Sequence, residues 1–212
     1  MKAVLMSGGT PPSYELINKE LKDSDYLICA DSGGNFLYKH QIVPNYLMGD
    51  FDSIDKDALN FFLKHKDCKV EEVPKDKDFT DTEFIFSKAI KLGVTEIVFL
   101  GCTGTRIDHM MGNIGILKKC LEQNVKAYIK DEHNTIAISN KSTKIKGERG
   151  SDFSLQAYCE CVENLNIRGA KYKLVDYNLG LGDSRTISNQ FLDNEVEISF
   201  EKGTILIFYS KD

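Results

Sequence analysis

Over its first 130 residues the chain alternates short apolar runs with longer stretches whose apolar positions recur at helical spacing. The runs Lys2–Met6, Tyr26–Ala30, Tyr46–Gly49, Lys69–Val73, Glu96–Leu100 and Val125–Lys130 read as strands. Between them, helical patterns run from Pro12 to Leu21, Asn35 to His40, Asp55 to about His65, Asp81 to Leu92 and Asp108 to Leu121. Strand and helix in strict alternation predict a mostly parallel sheet with helices on both faces. After Asp131-Glu132-His133-Asn134 the period changes. Residues 135–139, 153–161, 162–167, 172–174, 196–200 and 204–209 read as short strands separated by Gly and Asn/Asp turns, with no helical pattern among them. Cys159 and Cys161 read as alternate positions on a strand, and Glu201-Lys202-Gly203 as the turn of a terminal hairpin. The expected organisation is an α/β domain over residues 1–130 and an all-β, sandwich-like domain over residues 131–212.

The strand ends carry the chemistry. Gly49-Asp50-Phe51-Asp52-Ser53 closes the third run, and its two aspartates are two positions apart. On an extended chain that spacing sets both side chains on one face. At the carboxyl end of a parallel strand, that face opens on the crevice where α/β proteins bind ligands. Two adjacent carboxylates repel each other unless a cation lies between them, and Mg²⁺ suits such oxygen ligands. The competing reading is a solvated turn that caps the next helix. Asp31-Ser32-Gly33-Gly34 repeats the pattern, with Asp31 either in the crevice or as a helix N-cap. Thr80 and Glu83 are spaced as a capping box, which leaves Asp78 and Asp81 without a structural task. Gly101 through His109 combines two glycines, two threonines and Arg106 before a helix, a plausible cradle for phosphate. Asp108 adds another carboxylate at the same level, and His109 reads as a base or, more simply, as a packing residue.

Composition narrows the class. The 212 residues are 42% hydrophobic and 28% charged, enough for one large or two small domains. A net charge of −5 argues against a general nucleic-acid surface. No run approaches the roughly 20 apolar residues of a membrane span, and the opening Met1–Gly9 is too short an apolar run for a secretory signal. The six cysteines show no zinc-type spacing and read as reduced thiols of a cytoplasmic protein.

With these residues in view the chain resembles the thiamine pyrophosphokinases (thiamine diphosphokinases). The resemblance is carried by Ala30-Asp31-Ser32-Gly33-Gly34, Pro44, Gly49–Ile54, Asp76-Lys77-Asp78-Phe79-Thr80-Asp81 and Gly101–His109. Gly169-Ala170-Lys171-Tyr172 and Ser188-Asn189 carry it more weakly. It implies an α/β catalytic domain, a C-terminal β-domain that binds thiamine, and a homodimer. It implies transfer of the pyrophosphoryl group of ATP to the hydroxyl of thiamine, giving thiamine diphosphate and AMP with Mg²⁺ as cofactor. Under it, Asp50, Asp52, Asp81 and Asp108 form the metal and catalytic cluster. Asp31, Asp78, Thr80 and Arg106 hold ATP, and Tyr172, Ser188 and Asn189 meet thiamine. The chain departs from the family at Ala170 and Lys173, where Leu and Pro are frequent, and at Phe84, where some relatives carry Lys. The first bears on the thiamine pocket and the second removes one phosphate contact.

Two rival readings account for fewer of the motifs. A metal-dependent nucleotide-sugar transferase explains Asp50 and Asp52 but not the stretches around Asp81 and Arg106. A non-catalytic nucleotide or thiamine sensor needs fewer carboxylates. The β-domain, at about 80 residues, is small for an independent core. A second copy is therefore expected to cover apolar positions such as Ile205, Ile207 and Tyr209.

Overall fold

A computed structural model describes residues 1–74 and 79–211 and divides the chain into two compact units, Met1–Glu132 and His133–Asp212. In the first unit, β1 (Lys2–Met6), α1 (Tyr14–Leu21), β2 (Tyr26–Ala30), α2 (Gly33–Lys39), β3 (Tyr46–Gly49), α3 (Lys56–Lys64) and β4 (Lys69–Glu72) come first. They are followed by α4 (Asp81–Lys91), β5 (Glu96–Leu100), α5 (Ile107–Glu122) and β6 (Lys126–Lys130). The strands lie in the order β6-β5-β1-β2-β3-β4 and every pair is parallel. The chain winds outward from β1 to β4, then returns to β5 on the other side of β1. Crossovers between parallel strands are right-handed, so reversing direction moves the helices to the opposite face. The helices on both faces agree with the expectation from sequence.

Strand alternation divides the core accordingly. Val4, Met6, Leu27, Cys29 and Leu47 pack with Ile17 of α1, Leu37 of α2, and Ala58 and Phe62 of α3. The alternate residues Ala3, Leu5, Ile28 and Ile97 are just as fully buried, and α4 packs on β1, β2 and β3 with Ile85 and Ala89 buried. α1 begins two residues later than the pattern suggests because Ser13 caps it, its hydroxyl accepting from Leu16 N at 3.1 Å. Beneath the sheet, Glu20 is 4% exposed and takes Lys2 at 3.1 Å and Lys130 at 2.7 Å on its two oxygens. Those contacts join α1 to both β1 and β6.

The second unit is two antiparallel sheets. β7 (Asn134–Ser139), β9 (Asp152–Ala157), β12 (Asn189–Gln190) and β14 (Ile205–Ser210) form one, in the order β12-β9-β14-β7. β8 (Thr143–Lys146), β10 (Val162–Arg168), β11 (Leu174–Leu179) and β13 (Glu195–Ser199) form the other, in the order β11-β10-β13-β8. Phe153, Leu155, Ile205 and Ile207 of the first sheet meet Val162, Leu165, Ile167, Val196 and Ile198 of the second. Three expectations change. Residues 201–203 do not close a hairpin, because β13 and β14 belong to different sheets. Cys159 and Cys161 lie in a bend after β9, both exposed, with Cys159 at φ 67°. Ile205 (0% exposed) and Ile207 (4%) are already covered by the unit's own second sheet, so they offer nothing to a second copy.

Candidate active site

The strand order reverses between β1 and β5, and there the loops that leave the two strands diverge around a crevice. A cleft of about 570 Å³ opens at this edge, lined by Ser7–Thr10, Asp31, Phe79–Thr82, Gly101–Arg106, His109 and Asn113. The two loops are zipped at their base. Ser7 N donates to Leu100 O at 2.9 Å, Gly9 N to Gly101 O at 2.8 Å and Thr10 N to Thr103 O at 2.7 Å. A Cβ on Gly9 would lie 2.3 Å from Thr103 O, and one on Gly101 (φ +65°) 2.2 Å from Ser7 O. Both positions therefore demand glycine for loop-to-loop approach, a requirement separate from any ligand.

Three side chains that the motifs did not single out brace this floor. The Ser7 and Thr82 hydroxyls are hydrogen-bonded at 2.9 Å, and Asn113 Nδ2 donates to Cys102 O at 2.8 Å. All three are buried, and they tie the β1 loop to α4 and the β5 loop to α5. Burial pushes the Cys102 thiol up to about 12, against a hydrogen bond from Ser7, so it stays protonated. The available signal was polarity at buried positions, Thr82 and Asn113 facing inward on their helices, and hydrophobic patterning does not report it.

Asp31, Asp50 and Asp52 converge, each offering a carboxylate oxygen within 4.8 Å of the others. The backbone makes this possible. Asp31 sits at φ 35° beyond β2, and its N donates to Met48 O at 2.9 Å. Beside it, a Cβ on Gly49 would be 2.9 Å from Asp31 Cβ, so β3 can come this close only with glycine there. Asp50 Oδ1 accepts from Asp52 N at 3.3 Å, and Asp52 Oδ1 accepts from the Ser53 hydroxyl at 2.7 Å. Asp31 is 5% exposed and its Oδ1 is buried without a hydrogen-bond partner. Burial pushes its carboxyl above the usual range; a hydrogen bond from Ser53 opposes that, while the charges of Asp81, Asp50 and Asp52 reinforce it. A buried acceptor with no donor, in a set of three hard oxygen ligands, fits a divalent cation such as Mg²⁺. Asp31 does not cap α2; Ser32 occupies that position.

The remaining candidates are placed as follows. Thr80 caps α4, accepting from Glu83 N at 3.3 Å, and Asp81 opens the helix on the cleft wall. Arg106 also lines the cleft, but its guanidinium is forked onto Asp108, with Nη2 to Oδ2 at 2.5 Å and Nε to Oδ1 at 3.2 Å. Arg106 thereby holds the Asp108 carboxyl below its usual range. Asp108 is exposed and, among the described residues, stands outside the three-carboxylate group, as does Asp81. Asp78 lies outside the described residues. In the second unit, Tyr172 is 56% exposed, Ser188 is exposed at φ 56°, and Asn189 is 2% exposed. Asn189 Oδ1 accepts from Tyr172 N at 3.0 Å, and its Nδ2 donates to Tyr172 O at 2.8 Å.

Comparison with known proteins matches residues 17–129 to the family model described as thiamin pyrophosphokinase, catalytic domain. Residues 133–205 match thiamin pyrophosphokinase, vitamin B1 binding domain. The thiamine pyrophosphokinase of Bacillus subtilis is 29% identical over 187 residues, covering 87% of each chain. The crystal structure of thiamine pyrophosphokinase from that organism superposes with a TM-score of 0.90 at 27% identity over the whole of both chains. That of Geobacillus thermodenitrificans gives 0.86 at 25% identity, covering 100% of this chain and 98% of the other.

Proposed function

The chain belongs to the thiamin pyrophosphokinase family, and from that premise we propose how its residues divide the work. It is a thiamine diphosphokinase: the hydroxyl oxygen of thiamine bonds to the β-phosphorus of ATP. The bond from that phosphorus to the bridging oxygen breaks, and AMP leaves with that oxygen. Such transfers need positioning and charge neutralisation more than covalent chemistry. The convergence of Asp31, Asp50 and Asp52 beside the switch-point cleft is the observation that carries the assignment of the reacting centre.

Asp31, Asp50 and Asp52 would hold Mg²⁺, with Asp81 on the adjoining wall. When bound, the ion would neutralise phosphate charge and align the transferred group. The cleft volume suits a nucleotide-sized ligand. Thr80 and the N-terminus of α4 belong to the phosphate side, where helix N–H groups favour anions, and we give Asp78 a share in holding ATP on the family resemblance alone. Arg106 becomes a phosphate donor by leaving Asp108, an exchange of one bidentate anion for another. That frees the Asp108 carboxylate to accept a proton or assist the metal. Tyr172, Ser188 and Asn189 of the second unit serve thiamine.

We assign a second copy of this chain as the partner of the exposed apolar residues Val175 (74% exposed), Leu181 (77%) and Leu192 (44%). We place the enzyme in the cytoplasm, since all six cysteines are free. Coupled measurement of AMP and thiamine diphosphate from ATP and thiamine tests the activity and separates it from nucleotide-sugar transfer or simple binding. Asp52→Asn should keep the fold and lower turnover by roughly 10²-fold or more. Near-normal turnover at saturating Mg²⁺ would remove Asp52 from the centre.

A further inference from the structure

We infer that Asn189 is a positioning residue for the thiamine site: its carboxamide sets the backbone, and so the exposed ring, of Tyr172 and does not itself touch the ligand. The inference rests on the reading that Tyr172 lies in that site.

The observation is a ladder completed by a side chain. Leu192 N donates to Gly169 O at 3.3 Å, Ala170 bridges Phe191, and Lys171 N donates to Gln190 O at 3.0 Å. Hydrogen-bonded pairs alternate along antiparallel strands, so Tyr172, one residue past Lys171, is not set to bond the backbone of Asn189. That backbone pairs instead with Phe153 of β9. The carboxamide of Asn189 takes over, accepting from Tyr172 N at 3.0 Å and donating to Tyr172 O at 2.8 Å. A carboxamide presents one acceptor and one donor side, as a peptide group does. Asparagine is thus suited to stand in for a strand neighbour. Aspartate lacks the donor, and glutamine is one methylene too long.

The geometry leaves little of Asn189 for a ligand. Oδ1 accepts a second bond, from Gln190 N at 2.9 Å, which fills its two lone pairs. One amide hydrogen is on Tyr172 O, and the residue is 2% exposed. A ligand bonding to Asn189 would have to break this bracket. Tyr172, in contrast, is 56% exposed, and Lys171 Nζ stands 5.4 Å from its ring centroid. The ring face already attracts a cation, as expected of its electron density. A flat, positively charged heterocycle is the chemistry that such a platform takes.

The test is a double-mutant cycle on the KM for thiamine, with the KM for ATP as internal control. Tyr172→Ala and Asn189→Ala should each raise the thiamine KM about tenfold and leave that for ATP within twofold. In the Tyr172→Ala background, Asn189→Ala should add less than about twofold, because its effect passes through a ring no longer present. Amide exchange at Tyr172 should be slow in the parent and fast in Asn189→Ala. Independent, multiplying effects on the thiamine KM would overturn the inference and make Asn189 a direct contact. An unchanged thiamine KM in Tyr172→Ala would instead overturn the placement of Tyr172 on which it rests. Should Asn189→Ala not fold, the neutral Asn189→Ser removes the two-sided bracket while keeping a small hydroxyl in the buried position, and carries the same cycle with the same two outcomes.

Discussion

Replacing Asp31 by asparagine should make the metal-free protein more stable and its response to Mg²⁺ weaker. Asp31, Asp50 and Asp52 bring carboxylate oxygens within 4.8 Å of one another. Two unit charges at that separation repel by about 0.9 kcal/mol at the dielectric of water and about 3.5 kcal/mol at an effective value of 20. Asp52 is exposed and Asp50 half-buried, which favours the lower figure, while burial of Asp31 favours the higher. Burial is the main cause that raises its carboxyl pKa, and the charges of Asp81, Asp50 and Asp52 add to the rise. Removing one charge while keeping shape should therefore stabilise the apo protein by about 1–2 kcal/mol. For a chain of this size that is a rise in Tm of roughly 2–8 °C. Asparagine keeps the size and shape of the side chain, so little packing is lost in exchange.

The second half of the expectation has the opposite sign. A cation bound only by the folded state stabilises it by RT ln(1 + [L]/Kd), about 1.4 kcal/mol at ten times Kd. The parent should thus gain several degrees in millimolar Mg²⁺, and Asp31→Asn should gain little, with turnover falling along with metal affinity. Thermal melts of both proteins across a Mg²⁺ series, with Ca²⁺ and Na⁺ at matched ionic strength, read both effects. A metal-free Asp31→Asn protein less stable than the parent would refute the repulsion argument. An undiminished Mg²⁺ shift would refute the assignment of Asp31 as a ligand.

Two further outcomes follow from the same structure. Gly49→Ala should lower stability by about 1–3 kcal/mol through overpacking, since its Cβ would lie 2.9 Å from Asp31 Cβ and 3.2 Å from Asp31 Cα. A melt at or above the parent's would show that β3 shifts freely. Glu20→Gln should cost about 3 kcal/mol at pH 7, on the scale of a broken buried ion pair. Burial alone would raise the Glu20 carboxyl, but hydrogen bonds from Lys130 and Lys2 outweigh it and hold it below its usual value. A folded-state pKa lower than the unfolded one means stability that is complete above the unfolded value, near 4.3. That stability fades as pH falls through the folded value. Urea midpoints of parent and Glu20→Gln should converge from pH 7 toward pH 3, and a constant gap would contradict the linkage.

What could be read in the chain beforehand follows from which positions are buried on both sides. β1, β2, β3 and β5 are covered by helices on each face, so their sequences are unbroken apolar runs and their bounds matched the pattern residue for residue. The edges of the second unit are different. β8 buries only Ile145, and β11 carries Val175 at 74% exposure on a strand with shifted register. Half-exposed edge strands have no hydrophobic period to report. The two-residue β12 has none at all, because side-chain bonds as much as backbone pairing define it.

The site divides along a related line. Asp50 and Asp52 were legible because they sit two apart just past a strand end, but they lie in the loop beyond β3, with Phe51 at φ 57° between them, and not along the strand. Asp31 was ambiguous between crevice and cap, and what decides it is its left-handed backbone and the glycine across from it, both properties of tertiary approach. Asp108 lies in the first turn of α5, where its neighbour Arg106 captures it locally. On the proposed reading, an arriving triphosphate would contest that capture with more charge than one carboxylate offers. Ser7, Thr82 and Asn113 were invisible for the converse reason: each is polar where the fold buries it, and its partner comes from a distant segment. A single sequence reports the chemistry that neighbours in the chain must share. The bracing that makes a strand end into a site comes from residues brought together only by the fold, as Asn189 and Tyr172 are across 17 positions.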